Sequence, residues 1–146
     1  MIFDKTNLFS DDQAITATAV STNVIDLGAT GTPKLRNATP LQRNISKGTP
    51  IPILVQVTEA FNTLTSLAIA IQTDDNEAFS SPTTVYSESI VLANLTLGAR
   101  VAIDWLPKNI KERYVRLNYT VTGTNPTLGK VMAGITMGNS QSLQEP

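Results

Sequence analysis

This chain lacks two types of reactive residue, and their absence limits the reactions that it could catalyse. Its 146 residues include no histidine and no cysteine. Histidine is the usual general base and the commonest transition-metal ligand, and the cysteine thiolate is a nucleophile and a metal ligand. Catalysis by a serine–histidine or cysteine–histidine pair is therefore excluded, while a serine–lysine pair stays open without any spacing that locates one. We expect a protein that is not an enzyme and binds no cofactor.

The densest acidic group is DDNE, residues 74–77. Three carboxylates in four residues could hold Ca²⁺ through oxygen ligands, but the alternating spacing of a calcium loop and its downstream glutamate are missing. A glycosidase would need two carboxylates that face each other across a cleft, and the remaining acids are scattered along the chain. A solvated turn is favoured over both alternatives, and we expect no metal site.

The segment GATG, residues 28–31, has only a superficial likeness to a phosphate-binding loop. A P-loop continues with glycine, lysine and serine or threonine, and it opens a helix. Threonine and proline follow here, so nucleotide binding is disfavoured.

A long basic loop, residues 28–49, carries positive charge on a chain whose formal net charge is -1. No Asp or Glu lies between Leu27 and Thr58, whereas four cations do: Lys34, Arg36, Arg43 and Lys47. Such a loop is either solvated or bound to an acidic protein surface or a phosphate backbone. It has no aromatic side chain to stack on bases, so an acidic protein partner is favoured over nucleic acid.

The N-terminal segment, residues 1–13, mixes apolar and charged side chains without a clear period. We predict an extended arm or edge segment that binds a partner through Phe3, Leu8 and Phe9, with both phenylalanines buried against a neighbouring chain. The alternative is a frayed terminus. The segment lacks the pattern of a signal peptide, and no apolar run in the chain approaches about 18 residues, so no membrane partner is expected.

The remaining sequence is a series of short alternating segments separated by turn residues. The most regular pair, residues 113–122 and 130–137, predicts a terminal antiparallel hairpin over residues 113–137. Earlier strands are predicted at residues 14–20, 23–27, 50–57, 66–73, 85–92 and 100–106. The absence of a sustained helical period predicts one all-β domain over residues 1–146, a jelly-roll sandwich of about eight antiparallel strands. Its predicted core comprises Val55, Val57, Leu67, Ile69, Ile71, Val101, Ile103, Trp105, Val115, Leu117, Tyr119, Val121, Val131 and Ile135.

Several stretches resemble the capsid cement proteins of short-tailed phages, the family typified by a Bordetella phage. They are MIFDKTNLFS (1–10), QAIT (13–16), STNVIDLG (21–28), IPILVQV (51–57), RYVRLNY (113–119) and GKVMAG (129–134). The similarity spans nearly the whole chain, although none of these stretches has a chemistry of its own.

The resemblance implies a structural virion protein with a jelly-roll fold and no catalytic residues. It implies assembly in the host cytoplasm onto the outer surface of the capsid, across neighbouring subunits of the major capsid protein. It also implies self-association, with a homodimer favoured over a trimer. The alternative is a carbohydrate-binding jelly-roll module or a virion-borne receptor binder. Aromatic residues, which form sugar-binding platforms, make up only 5% of the chain, and this argues against that alternative.

Overall fold

The apolar faces of the alternating segments pack against one another, and the chain forms two facing antiparallel β-sheets. The computed structural model of the protein describes residues 3–31 and 41–137. Its regular elements in those ranges are β1 (Phe3–Ala14), β2 (Ala19–Val20), β3 (Ile25–Asp26), β4 (Ile53–Glu59), β5 (Leu64–Asp74), β6 (Thr83–Val91), a 3-10 helix (Leu92–Asn94), β7 (Tyr114–Gly123) and β8 (Lys130–Thr136).

The first sheet has the strand order β1-β8-β4, and the second has the order β2-β7-β5-β6. The short strand β3 also pairs with β7, nearer the start of that strand than β2 does. The edge segment, residues 98–106, runs along β4 on the side opposite β8, through backbone hydrogen bonds of 2.8–3.0 Å. The chain thus crosses between the sheets at most connections, which is the interleaved arrangement of a jelly roll. The predicted all-β jelly-roll sandwich is confirmed.

The edge segment departs from the strand predicted at residues 100–106. Ala102 has a positive φ of 63°, a conformation that breaks the alternation of a regular strand. Val101 and Ile103 still pack partly against the core, but Trp105 is 44% exposed and pairs with Pro52 through an isolated bridge. The prediction that Trp105 is a core residue is wrong, because the positive φ at Ala102 interrupts the alternation of side chains before Trp105 while the segment continues along β4.

The predicted terminal hairpin is also wrong. Strands β7 and β8 belong to different sheets, and the connection between them crosses the end of the sandwich. Alternation shows that each strand has one apolar face. Two strands that face each other across a core satisfy that pattern as well as two strands that pair edge to edge. Leu117 and Tyr119 on β7 and Val131 and Ala133 on β8 all lie in the same core.

The N-terminal part of the chain is more regular than predicted in one place and less regular in another. The predicted arm is largely β1, an edge strand that pairs with β8 and has three register shifts along its length. Bulges of this kind interrupt the two-residue period, so the strand was hidden in the sequence pattern. Of the strand predicted at residues 14–20, the described β2 keeps only Ala19 and Val20.

The core lies between the two sheets. Nine predicted members are buried: Val55, Val57, Leu67, Ile69, Ile71, Val115, Leu117, Tyr119 and Val131. Val101, Ile103, Val121 and Ile135 are half-buried against it. Connecting segments supply further members that the strand pattern did not reveal, among them Ile15, Phe61, Leu95 and Ile110.

The connection into β8 depends on a glycine. Gly129 has a φ of 135°, and a Cβ atom there would lie 2.3 Å from Cδ1 of the buried Phe61 ring. We expect Gly129→Ala to lower the free energy of unfolding by about 2–6 kcal/mol, from backbone strain and overpacking together. Gly98 has a φ of 82° but open space around it, so Gly98→Ala should lose about 1–2 kcal/mol from strain alone.

Urea unfolding of the two variants measures this difference. Adding Phe61→Ala to Gly129→Ala should destabilise less than the sum of the single changes, because the ring that causes the clash is gone. Equal losses at Gly98 and Gly129 would show that the ring contact is unimportant.

Candidate partner-binding surface

The N-terminal residues predicted to dock on a neighbouring chain belong to the sandwich itself. Phe9 is fully enclosed in the core, with an exposure of 0%. Leu8 is also buried and lies opposite Gly134 of β8. The prediction that Phe9 packs against a neighbouring chain is therefore wrong, and Leu8 is not an exposed anchor. The backbone of Phe3 pairs with Thr136, but its side chain, and hence its predicted contact, lies outside what the structure describes.

A polar network fastens β1 to the second sheet. The hydroxyl groups of Ser10 and Tyr119 are 2.8 Å apart inside the core, and Ser10 Oγ donates to Gln13 Oε1 at 2.7 Å. The same Gln13 oxygen accepts a hydrogen bond from the backbone N–H of Thr22. Burial raises the pKa of the Tyr119 hydroxyl well above its usual value, which keeps it protonated and able to donate. The segment predicted as an extended arm is thus held through both its apolar and its polar side chains.

The variant Ser10→Ala tests how much this network contributes to the free energy of unfolding. Removing one hydroxyl leaves that of Tyr119 buried without a partner, which should lower stability by about 1–3 kcal/mol. The double variant Ser10→Ala with Tyr119→Phe removes both groups and should be more stable than the sum of the single losses implies. Thermal and urea unfolding of the four proteins complete this double-mutant cycle. Strict additivity would mean that the two hydroxyls do not interact.

The basic loop does not act as one exposed stretch of cations. Lys34 and Arg36 lie outside the described residues, and Lys47 is exposed. Arg43 is half-buried and donates from Nη2 to the carbonyl oxygen of Gly28. The second half of the loop is fixed where Ile45 N donates to the Ile110 carbonyl oxygen at 3.1 Å.

A cleft of about 490 Å³ opens beside Arg43, at the end of the sandwich where β3 stops and β7 starts. We call it the basic cleft. Its lining consists of Gly28, Ala29, Thr30, Leu41, Gln42, Arg43, Asp75, Lys111 and Arg113. Parts of three connections meet there: residues 28–30 and 41–43 of the first, residue 75 of the second, and residues 111 and 113 of the third. Sequence reasoning found Arg43 but missed Lys111 and Arg113, because only the topology brings residues so distant in the chain to one end.

Arg113 organises the wall of the basic cleft. Its Nε and Nη2 donate to the two carboxylate oxygens of Asp26 at 2.7 and 2.6 Å, and its backbone N–H donates to Asp75 at 3.0 Å. The bidentate hydrogen bond from Arg113, with a second from the Gly28 N–H, lowers the pKa of Asp26 from 3.8 to about 2. The carboxylates of Asp26 and Asp75 thus both accept hydrogen bonds from Arg113.

The other two cations of the cleft form no ion pair with a carboxylate within residues 3–31 and 41–137, although the charge of Arg43 helps to lower the pKa of Asp26. In the same part of the chain, Arg43 donates a hydrogen bond to the Gly28 carbonyl oxygen, and Lys111 makes no hydrogen bond or ion pair. The cleft therefore offers positive charge and unused N–H donors to a ligand.

The contribution of the Asp26–Arg113 ion pair to stability should depend on pH. Because the pKa of Asp26 is lower in the folded protein, the pair's stabilising effect is present above about pH 3.8 and is lost as the pH falls through about 2. NMR titration of the Asp26 carboxyl carbon should give a midpoint near 2. Arg113→Gln should move that midpoint up toward 3.8, whereas Arg100→Gln, at an exposed arginine on the edge segment, should leave it unchanged. An unchanged midpoint in Arg113→Gln would contradict the assignment.

Exposed apolar side chains lie at the same end of the sandwich as the basic cleft. Leu41, on the cleft lining, is 58% exposed, and Met137, which follows β8, is 99% exposed. Trp105 is held near the end of β8, because its partner Pro52 accepts a hydrogen bond from Thr136 N. Tryptophan, methionine and arginine are enriched in protein interfaces. This end thus combines apolar and cationic groups suited to a protein partner.

The acidic run at residues 74–77 forms a turn. One carboxylate oxygen of Asp74 accepts from the Asn76 N–H and the other from the Ser81 N–H, both at 2.8 Å. These two bonds lower the pKa of Asp74 and close the turn between β5 and β6. In the described part of the chain, no three acidic side chains come together in a way that could hold a metal ion.

Comparison with known families agrees with this architecture. The family model Bbp16 matches residues 9–135. The chain belongs to the Bbp16 family. The family is named for a Bordetella phage protein, so the family resemblance stated from the sequence is confirmed, and the membership indicates a phage virion protein. No curated protein gave a match to the chain. In the part of the chain that the structure describes, no helix has both the length and the apolar character needed to cross a membrane.

Proposed function

We propose that this chain is a capsid cement protein, a non-catalytic component of the virion that decorates the outer surface of the phage head. It would bind across neighbouring major capsid subunits and have neither a nucleic-acid nor a membrane partner. The observation that carries the proposal is the Bbp16 match over residues 9–135. The jelly roll and its exposed, interface-like end support it.

The mechanism is mass action on the assembled shell. A protein that spans two capsid subunits binds a surface that exists only after assembly, so its binding free energy favours the assembled state. At a free concentration of about 100 times Kd, the stabilisation per site is about 2.7 kcal/mol. A sandwich whose two sheets share one core provides a rigid clamp for this purpose.

The end that carries the basic cleft is the proposed contact surface. Its apolar side chains include Trp105 and Met137, which can bury area in a partner pocket and slow dissociation. Its cations, Arg43, Lys111 and the exposed Lys47, would speed association with an acidic surface. The roles differ because exposed charges are screened by salt within about 8 Å.

The proposed self-association, with a homodimer favoured over a trimer, would use side-chain surfaces instead of joined sheets. The outer strand of the second sheet, β6, has Glu88 directly opposite Ile69, a core residue. Glu88 therefore shares a face of the sheet with Ile69, but its side chain is exposed at the sheet edge, where Tyr86 donates a hydrogen bond to it. A charged side chain on an edge strand disfavours pairing with a second sheet there.

The second candidate, a carbohydrate-binding module or receptor binder, is favoured by one observation. Trp105 is an exposed aromatic side chain, and sugar-binding surfaces use such rings. A glycan array distinguishes this candidate, since a cement protein has no reason to bind glycans in the absence of capsids.

Capsids assembled without this protein provide the decisive test. After incubation and pelleting, the wild-type chain should bind saturably at a fixed ratio to the major capsid protein and raise the temperature at which the capsids dissociate. Trp105→Ala should speed dissociation and weaken binding by about 2 kcal/mol or more if Trp105 fills a desolvated pocket. Leu128→Ala is the matched control, because this exposed side chain lies at the opposite end of β8.

Non-saturable binding, or glycan binding without capsid binding, would overturn the cement proposal. An equal effect of Leu128→Ala and Trp105→Ala would place the contact surface elsewhere. Light scattering of the free protein at tens of micromolar tests self-association separately, and a monomer mass would contradict a stable dimer in solution.

A further inference from the structure

The basic cleft has N–H donors that no acceptor in the described part of the chain uses. A guanidinium carries five N–H donors and a lysine ammonium carries three. Arg43 uses Nη2 on the Gly28 carbonyl oxygen, and Lys111 uses none on the residues that the structure describes. Both side chains line the same cavity of about 490 Å³, a size typical of ligand pockets.

The wall around these donors is already positioned. Asp26 holds the Arg113 guanidinium through two hydrogen bonds and accepts a third from the Gly28 N–H at 2.8 Å. Asp75 holds the backbone of Arg113 from the other side. Leu27 N donates to the Arg113 carbonyl oxygen at 2.9 Å, which ties the end of β3 to the start of β7. A ligand would therefore meet a preformed site, which reduces the entropy lost on binding.

The lining also restricts the ligand's chemistry. Three cations face one carboxylate, Asp75, and a second carboxylate, Asp26, lies behind Arg113. A dense polyanion such as nucleic acid would be repelled by these acids, and no aromatic side chain in the lining could stack on a base. Leu41 adds an exposed apolar wall. A carboxylate with an apolar neighbour complements this combination.

We propose that the basic cleft is a docking site for an acidic peptide segment. A carboxylate of the segment accepts hydrogen bonds from Arg43 and Lys111, and an adjacent apolar side chain packs against Leu41. The inference deepens the proposed function and rests on it for the identity of the partner, since the segment would belong to the major capsid protein. The chemistry of the site can be tested without capsids.

The test is an NMR titration of the full free chain with an amide-capped peptide of alternating aspartate and leucine. Saturable shifts are expected at the backbone amides of Gly28, Thr30, Lys111 and Arg113. The matching asparagine–leucine peptide should produce no saturable shifts, because it lacks the charge. Arg43→Gln combined with Lys111→Gln should weaken binding by about tenfold, because two weak, exposed charge contacts are lost. Lys108→Gln is the control, since this exposed lysine lies on the same connection but does not line the cleft.

Several outcomes would overturn the inference: no saturable shifts, equal binding of the uncharged peptide, or equal weakening by Lys108→Gln. Tighter binding of inorganic phosphate or of a short oligonucleotide at the same amides would also overturn the assignment to a carboxylate. Lys111→Gln alone changes one exposed side chain and should leave the thermal midpoint unchanged. It therefore tests the site even if the double variant fails to fold.

Capsid pelleting assays with the same variants distinguish failure of this inference from failure of the proposed function. Peptide binding without any capsid binding by the wild-type chain would overturn the cement proposal and leave the cleft assignment standing. Capsid binding that is unaffected by Arg43→Gln and Lys111→Gln, together with failure of the peptide titration, would overturn the cleft assignment and leave the cement proposal standing.

Discussion

The contact between the inner faces of the two sheets is the interaction on which the rest of this structure depends. Burying apolar surface contributes roughly 25 cal/mol per Å² removed from water, and here it joins side chains from every long strand. Leu117 and Ile69 on the second sheet and Val55 and Val131 on the first are almost completely enclosed. The interleaved strand order is one way in which a chain can present all of these faces to one core.

Because the inner faces of the two sheets pack against each other, the connections between strands lie at the two ends of the sandwich. A connection cannot lie between the sheets without burying unsatisfied backbone groups, so each one turns over an end of the sandwich. At one end, the turn before β8 is closed so tightly that Phe61 lies where a side chain on Gly129 would be. At the other end, three longer connections meet around Arg43, Lys111 and Arg113. The candidate site is thus a consequence of topology, with the chemistry supplied by loop residues.

Alternation in the sequence predicted the fold class and most of the core, because a two-residue period reports directly which face of a strand is apolar. It could not identify a strand's partner. Strands β7 and β8 face each other across the core, yet their pattern is the same as that of a hairpin. Nor does the pattern reveal local changes of backbone conformation, such as the positive φ at Ala102 that precedes the exposed Trp105. Bulges hide β1 in the pattern, so the sequence predicts that Phe9 is an anchor for another chain, whereas it belongs to the core.

The candidate site was predictable only where its residues are neighbours in sequence. The excess of cations in residues 28–49 pointed to Arg43 and to an acidic partner, but Lys111 and Arg113 follow the edge segment and carry no local signal. Their arrangement also separates stability from recognition. The ion pair between Asp26 and Arg113 is solvent-exposed, and exposed pairs contribute little to folding. Its main effect is geometric, since it fixes one wall of the cleft while the enclosed core supplies the stability. Substitutions at this end should therefore alter the proposed binding without changing how the protein folds.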